Sequence, residues 1–350
     1  MKLFILYIII LFLFRIVLMS ISKRNYPKVN VLLCSIAYIG LIFLAAFRAP
    51  EVGTDTLSYI SDYKEIHTFT WKDIMEHYRG YELFYFVCKI FSLFGLPVFI
   101  WFAFIEIVYV SAIARLVHKD STDKIYSIIL FITIGLYMFS LAGLKQTMAM
   151  GLVLHGFIEM RNKRYIIAVL LSILAFFSHP TAAVFIPAFL LYVCRNTKHF
   201  NILLVCLILL LMIGAKYMFA SFSNILHLEH FERYLSVEKT YSIWTLLFYI
   251  LMIIASLPFI NNYSKNALYQ NEHKFEFSCL IIACSLQYLA SLSPSLFRLA
   301  LYYTPFFLVY MPNVFNTHSD VTRKVVKLVL ILAVILFFAY TNRNFVYSLA

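Results

Sequence analysis

Three cations stand at the edges of apolar runs in this sequence: Arg48, Lys145 and Arg298. A histidine, His179, and two acids, Asp55 and Glu82, occupy similar positions. Cations at a membrane edge bind anions, and a diphosphate is an anion they suit. A histidine or a carboxylate can take the proton from a hydroxyl near neutral pH. Further groups lie close by in sequence. Tyr59 follows Asp55 by four residues, Gln146 follows Lys145 directly, and Tyr302 follows Arg298 by four, so that Arg298 and Tyr302 share a helical face.

Each of these residues also has a plain structural role open to it. Within Arg48-x-x-x-x-Gly53-Thr54-Asp55-Thr56-x-x-Tyr59, Gly53 permits a tight turn or a positive φ. Asp55 and Thr56 suit the cap of a helix starting near Leu57, with Tyr59 and Tyr63 on one face. Gly143-Leu144-Lys145-Gln146 opens an apolar helix. Its lysine either snorkels or draws an anion to the helix N-terminus. Ser178-His179-Pro180-Thr181 breaks two apolar helices, and its imidazole is a base or a hydrogen-bonding residue of the break. Glu106 lies inside an apolar run, where an acid is costly unless it pairs with a cation or serves a function. Lys89 is one more candidate cation; Glu82, Phe86 and Lys89 share a face, so a Glu82–Lys89 ion network is its plain structural role. His227-Leu228-Glu229-His230 lacks the H-E-x-x-H order of a zinc site.

The elements that must position these groups are membrane helices. Of 350 residues, 63% are hydrophobic and only 13% charged, far from the balance of soluble domains. The expected fold is all-α and polytopic, one transmembrane domain over residues 1–350. Apolar runs fall at about 3–20, 29–47, 98–117, 125–142, 146–160, 165–178, 181–194, 200–219, 241–260, 275–292, 296–312 and 327–342. That gives about 12 transmembrane helices. The first is read as uncleaved, because the run is long and no small-x-small site follows. Run 83–96 is short, carries Lys89 and ends at Gly95-Leu96-Pro97, which suits a re-entrant or interfacial helix.

The positive-inside rule orients the chain. If Lys23, Arg24 and Lys28 face the cytoplasm and 83–96 does not cross, then Arg115, Lys119, Lys124, Arg161, Lys163, Arg164, Arg195, Lys198, Lys265, Lys274, Arg323, Lys324 and Lys327 face it too. The polar block from Phe47 to Glu82 then falls outside, within an extracytoplasmic loop of about 48–97. A second outer loop covers about 221–240. Lys145, His179 and Arg298 converge on the same outer face. The net charge of +12 reads as this topology signal and not as a nucleic-acid footprint. The six cysteines show no C-x-x-C pair and no ligand spacing, so no metal and no cofactor is expected.

Taken in order, these motifs resemble the EpsG family of Wzy-type polysaccharide polymerases. The resemblance runs through Phe47-Arg48, Val52-Gly53-Thr54-Asp55-Thr56-x-x-Tyr59 and Gly80-Tyr81-Glu82. It continues through Gly143-Leu144-Lys145-Gln146, Phe177-Ser178-His179-Pro180-Thr181-Ala182 and Phe297-Arg298-Leu299-x-x-Tyr302. It covers about residues 40–310. That family usually shows Arg-Gln where this chain has Lys145-Gln146, which keeps the charge and loses the bidentate fork.

The resemblance implies a membrane glycosyltransferase that joins oligosaccharide repeats linked to undecaprenyl diphosphate. It would work on the outer face of a bacterial cytoplasmic membrane, building O-antigen, capsule or exopolysaccharide. On that expectation Arg48, Lys145 and Arg298 bind diphosphate, and His179, Asp55 or Glu82 carries the proton. Tyr59, Gln146 and Tyr302 contact sugar. Partners would be the lipid-linked substrates, membrane lipid and a chain-length regulator. A lipid-linked oligosaccharide flippase or other transporter, and a glycan ligase or acyltransferase, are the alternatives. Against transport, no two-half repeat is visible and the charges gather at one face.

Overall fold

The computed structural model describes residues 2–20, 26–225, 240–260, 272–290, 296–316 and 321–350. The His227–His230 run, Lys23, Arg24, Lys265 and Ser293–Ser295 lie outside the described residues. Nearly all of the described chain is helical. It holds no strand among the described residues, only an isolated bridge between Arg48 and Leu349. Among the described residues, three helices are long and apolar enough to cross a membrane: Lys28–Ala46, Val98–Asp120 and Val321–Thr341. Shorter apolar helices are Lys124–Thr133, Tyr165–Ser178, Pro180–Cys194, Phe200–Gly214 and Ile243–Phe259. Long exposed apolar faces, such as Ile166, Val169, Leu170 and Ile173, fit contact with lipid tails.

Several expected spans are interrupted, for local reasons. Run 125–142 breaks at Gly135, whose φ of 92° ends one helix and starts the next. Run 181–194 opens as a 3-10 turn, Pro180–Phe185, before becoming α-helical. Run 296–312 divides into Phe297–Ala300, a 3-10 turn Thr304–Phe306 with Pro305 near its start, and Phe307–Val314 with Pro312 inside it. Arg298 and Tyr302 therefore do not share a continuous α-helical face: Tyr302 sits past the helix end, in a turn closed by its N–H on Leu299 O.

The chain divides into two compact units, Met1–Ala182 with Ile331–Ala350, and Ala183–Leu330. The first contains α1 (Lys2–Ser20), α2 (Tyr26–Ala46), α3 (Thr56–Glu65), α4 (Trp71–His77), α5 (Glu82–Leu93), α6 (Val98–Asp120), α7 (Lys124–Thr133), α8 (Leu136–Ser140), α9 (Leu144–Arg161) and α10 (Tyr165–Ser178). Helices α6 and α9 run parallel: Ser111 meets His155, Arg115 meets Glu159 and Asp120 meets Arg161. Their backbones approach closely at Gly151, where a Cβ would come 2.8 Å from Tyr109 Cα. Helix α10 folds back on α9, with Gly156 against Ala168 O. In the second unit, Phe185 stacks on Phe306 and packs at a tilt on Tyr303, Phe306 also packs on Phe275, and Tyr303 donates to Val184 O at 2.8 Å.

The expected loop at 48–97 is mostly helix. Helices α3 and α5 are short and amphipathic, and each buries an aromatic face. Tyr59, Tyr63, Ile66, Ile74, Phe84, Tyr85 and Cys88 form one core with Trp101 of α6. Trp101 stacks on Tyr63 at 5.3 Å, and Tyr63 donates to Leu96 O at 2.7 Å. Thr70 and Asp73 close a reciprocal capping box on α4. Helix α5 has 12 residues, roughly 18 Å at the α-helical rise, against a hydrocarbon core of about 30 Å.

Candidate active site

Lys145 stands in the first turn of α9, and three tyrosine faces surround it. Its Nζ lies 4.6 Å from the ring centroid of Tyr81, 4.8 Å from that of Tyr85 and 5.8 Å from that of Tyr59. Ring faces are negative, so they hold an ammonium without cancelling its formal charge. Tyr85 stacks on Tyr78 at 3.5 Å and donates its hydroxyl to Asp62 Oδ2 at 2.7 Å. Burial, then the Asp62 charge, pushes the Tyr85 phenol well above its ordinary range, so it remains a donor. Gln146 is buried directly after Lys145.

Tyr81 carries the site on to His179, with ring centroids 5.3 Å apart. His179 follows the last residue of α10 in an extended conformation. Its Nδ1 accepts from Thr181 N at 3.3 Å and lies 2.7 Å from Thr181 Oγ1. In the neutral ring this places the proton on Nε2, which makes His179 a donor.

Arg48 follows the C-terminus of α2 and is buried. Its guanidinium lies 4.3 Å from the Phe102 centroid, donates through Nη1 to Ala45 O and through Nε to Thr56 Oγ1 at 3.4 Å. Nη2 is buried without a hydrogen bond. Burial lowers the Arg48 pKa, and the Glu106 carboxylate opposes that. Glu106 is buried and accepts from Ser140 at 3.2 Å. Its expected cation is thus Arg48, acting by charge and not by a direct bridge.

The turn after Arg48 is set by Gly53, with φ 90° as its position in the motif suggests. A Cβ there would lie 2.1 Å from Leu141 O, so no other residue lets this turn lie against the approach to α9. Thr56 donates to Val52 O at 2.6 Å. Asp55 stands at the N-cap position of α3, but its side chain caps nothing, contrary to expectation. Nor does Glu82 pair with Lys89. Glu82 accepts from Gly80 N at 2.9 Å, while Lys89 donates to Phe69 O and lies over the Trp71 ring.

Lys145, Tyr59 and His179 are therefore joined through Tyr81 and Tyr85, and the Arg48–Asp55 turn abuts the same helix start. Arg298 and Tyr302 belong to the second unit; Tyr302 is buried and Arg298 half-buried.

Sequence reading missed three contributors. Tyr81 was legible as the centre of Gly80-Tyr81-Glu82. Asp62 was legible from its place three residues after Tyr59. The third is the segment 345–350, which carries no local signal. Ala49 N donates to Ser348 O and Ala350 N to Phe47 O, both at 2.9 Å. Tyr347 donates to Leu44 O at 2.6 Å. Helix α2 thus ends with Leu41, Leu44 and Ala45 carbonyls met by Tyr137, Tyr347 and Arg48. The strap fixes the backbone on both sides of Arg48.

These features define an all-helical membrane-type protein with a cation-bearing polar site built on its helix ends. The chain matches the EpsG family over residues 31–348 and belongs to it, a family of Wzy-like polymerases. No curated protein and no solved structure matches it.

Proposed function

We propose that this protein polymerises lipid-linked oligosaccharide repeats into a surface polysaccharide at the outer face of a bacterial cytoplasmic membrane, spanning that membrane about 12 times. Family membership supports the polymerase class. The observation that carries the chemistry is Lys145, held at a helix N-terminus by three tyrosine faces. Helix N-termini and cations both favour an anion.

In this reading an acceptor hydroxyl oxygen attacks the anomeric carbon of the donor. The bond from that carbon to the lipid diphosphate breaks, and the diphosphate leaves with the electron pair. Lys145 and Arg48 stabilise the charge that develops on it, and Arg298 is the candidate cation of the second unit. His179 donates from Nε2 to a diphosphate oxygen. Asp55, whose carboxylate makes no hydrogen bond among the described residues, takes the acceptor's proton, with Glu82 held back by Gly80 N. Tyr59, Gln146 and Tyr302 contact sugar, and lipid tails lie along the apolar helix faces. The cations carry the charge stabilisation in this scheme.

Deletion of the gene tests the assignment, with surface glycan run on a gel and lipid-linked intermediates weighed by mass spectrometry. Single repeats accumulating at the outer face are the expected result. Repeats trapped at the inner face would make the protein a flippase. Full-length lipid-linked polymer left unattached would make it a ligase.

A further inference from the structure

Asp62 was not among the residues that the motifs single out, yet it reaches the site. It lies on α3 one turn after Tyr59, and both residues act on the same lysine. Tyr59 does so with its own ring, 5.8 Å from Lys145 Nζ. Asp62 does so through Tyr85, whose hydroxyl it accepts at 2.7 Å and whose ring lies 4.8 Å from Nζ. The Tyr85 ring cannot easily tilt away. It is 2% exposed, stacked on Tyr78 at 3.5 Å and edged by Phe84 at 5.2 Å.

A phenol that donates to a carboxylate has a more electron-rich ring, because hydrogen-bonded groups polarise one another in a buried setting. Such a ring attracts a cation more strongly. We infer that Asp62 is a positioning residue for Lys145, acting through the Tyr85 ring to hold the ammonium in the tyrosine cage. The inference rests on Lys145 being the anion-holding cation proposed above. It gives that cation a counter-charge one ring away, on the far side of Tyr85. Helix α3 then delivers two parts of the cage from one face.

The test is the rate at which Lys145 is acylated by an N-hydroxysuccinimide acetate in the detergent-solubilised full chain, read by peptide mass spectrometry. Asp62→Asn and Tyr85→Phe are near-isosteric, and each carries the test if the other fails to fold. Each is expected to raise the rate about threefold, as a weakened cation–π hold would. The double variant is expected to react no faster than either single one, because both act through one ring. Unchanged rates, or effects that multiply in the double variant, would overturn the inference. The rate is measured without glycan, so it is separate from the polymerase reading. Failure of the diphosphate reading would instead appear as no protection of wild-type Lys145 by added inorganic diphosphate.

Discussion

The two ends of the first unit treat positive charge in opposite ways. At one end, cations meet carboxylates. Arg15 pairs with Asp123, Arg161 takes Asp120 through both of its terminal nitrogens, and Glu159 receives Arg115 and Arg164. At the other end, Lys145 faces tyrosine rings, and Arg48 lies on a phenylalanine and donates to carbonyl and hydroxyl oxygens. Ion pairs between α6 and α9 bind helices together and consume the charge. Rings and carbonyl dipoles hold a cation in place while its field persists. On the proposed reading, the difference separates cations that build the protein from one, Lys145, that meets an anionic ligand.

Charge removal at the ring-lined end should have the largest effect. Lys145→Ala is expected to lower polymer formation by about a hundredfold or more, the scale of losing one preorganised charge-stabilising donor. Helix content by circular dichroism should be unchanged, since Lys145 is only half-buried. Equal activity in that variant would erase the distinction between the ends.

At the carboxylate-lined end the reverse is expected. Asp120→Asn leaves Arg161 without its charge partner and should cost about 3 kcal/mol of stability, seen as a lower midpoint in thermal unfolding. Activity per folded molecule should hold.

The turn between Arg48 and α3 sharpens the contrast. Gly53→Ala forces a positive φ and a clash with Leu141 O, costing about 1–3 kcal/mol. Activity should fall further than stability, because the turn positions Arg48 and Asp55. The smallest effect belongs to the strap. Tyr347→Phe removes one hydrogen bond to Leu44 O, worth about 1 kcal/mol, and should lower activity only several-fold.

Parts of this arrangement were legible in the sequence and parts were not, for reasons that can be named. Apolar length gave α1, α2 and α6 closely. Gly53 announced its turn, Gly143-Leu144-Lys145 its helix start, and Pro180 the break beside His179, because each acts within a few residues of itself. Within 48–97 a helix near Leu57 and one over 83–96 were legible, whereas α4 and the joint aromatic core they form with Trp101 were not. The cations at 115 and 161 read as topology signals alone, because the α6–α9 pairs lie 41 to 44 residues apart in sequence and no local spacing marks them. The strap is more distant still, with Tyr347 meeting Leu44 across 303 residues. Asp62 shares a helix with Tyr59, but the contact that gives it a role, the Tyr85 hydroxyl, lies 23 residues on.

The most direct measurement is chain elongation in vitro. Purified protein in lipid nanodiscs would receive synthetic diphosphate-linked repeats of the host glycan, and products would be counted by mass spectrometry. Wild type, Lys145→Ala and Arg161→Ala would be compared at equal folded amounts. The account predicts elongation by wild type and Arg161→Ala, and elongation slower by about a hundredfold or more in Lys145→Ala. Elongation by Lys145→Ala at the wild-type rate would contradict it.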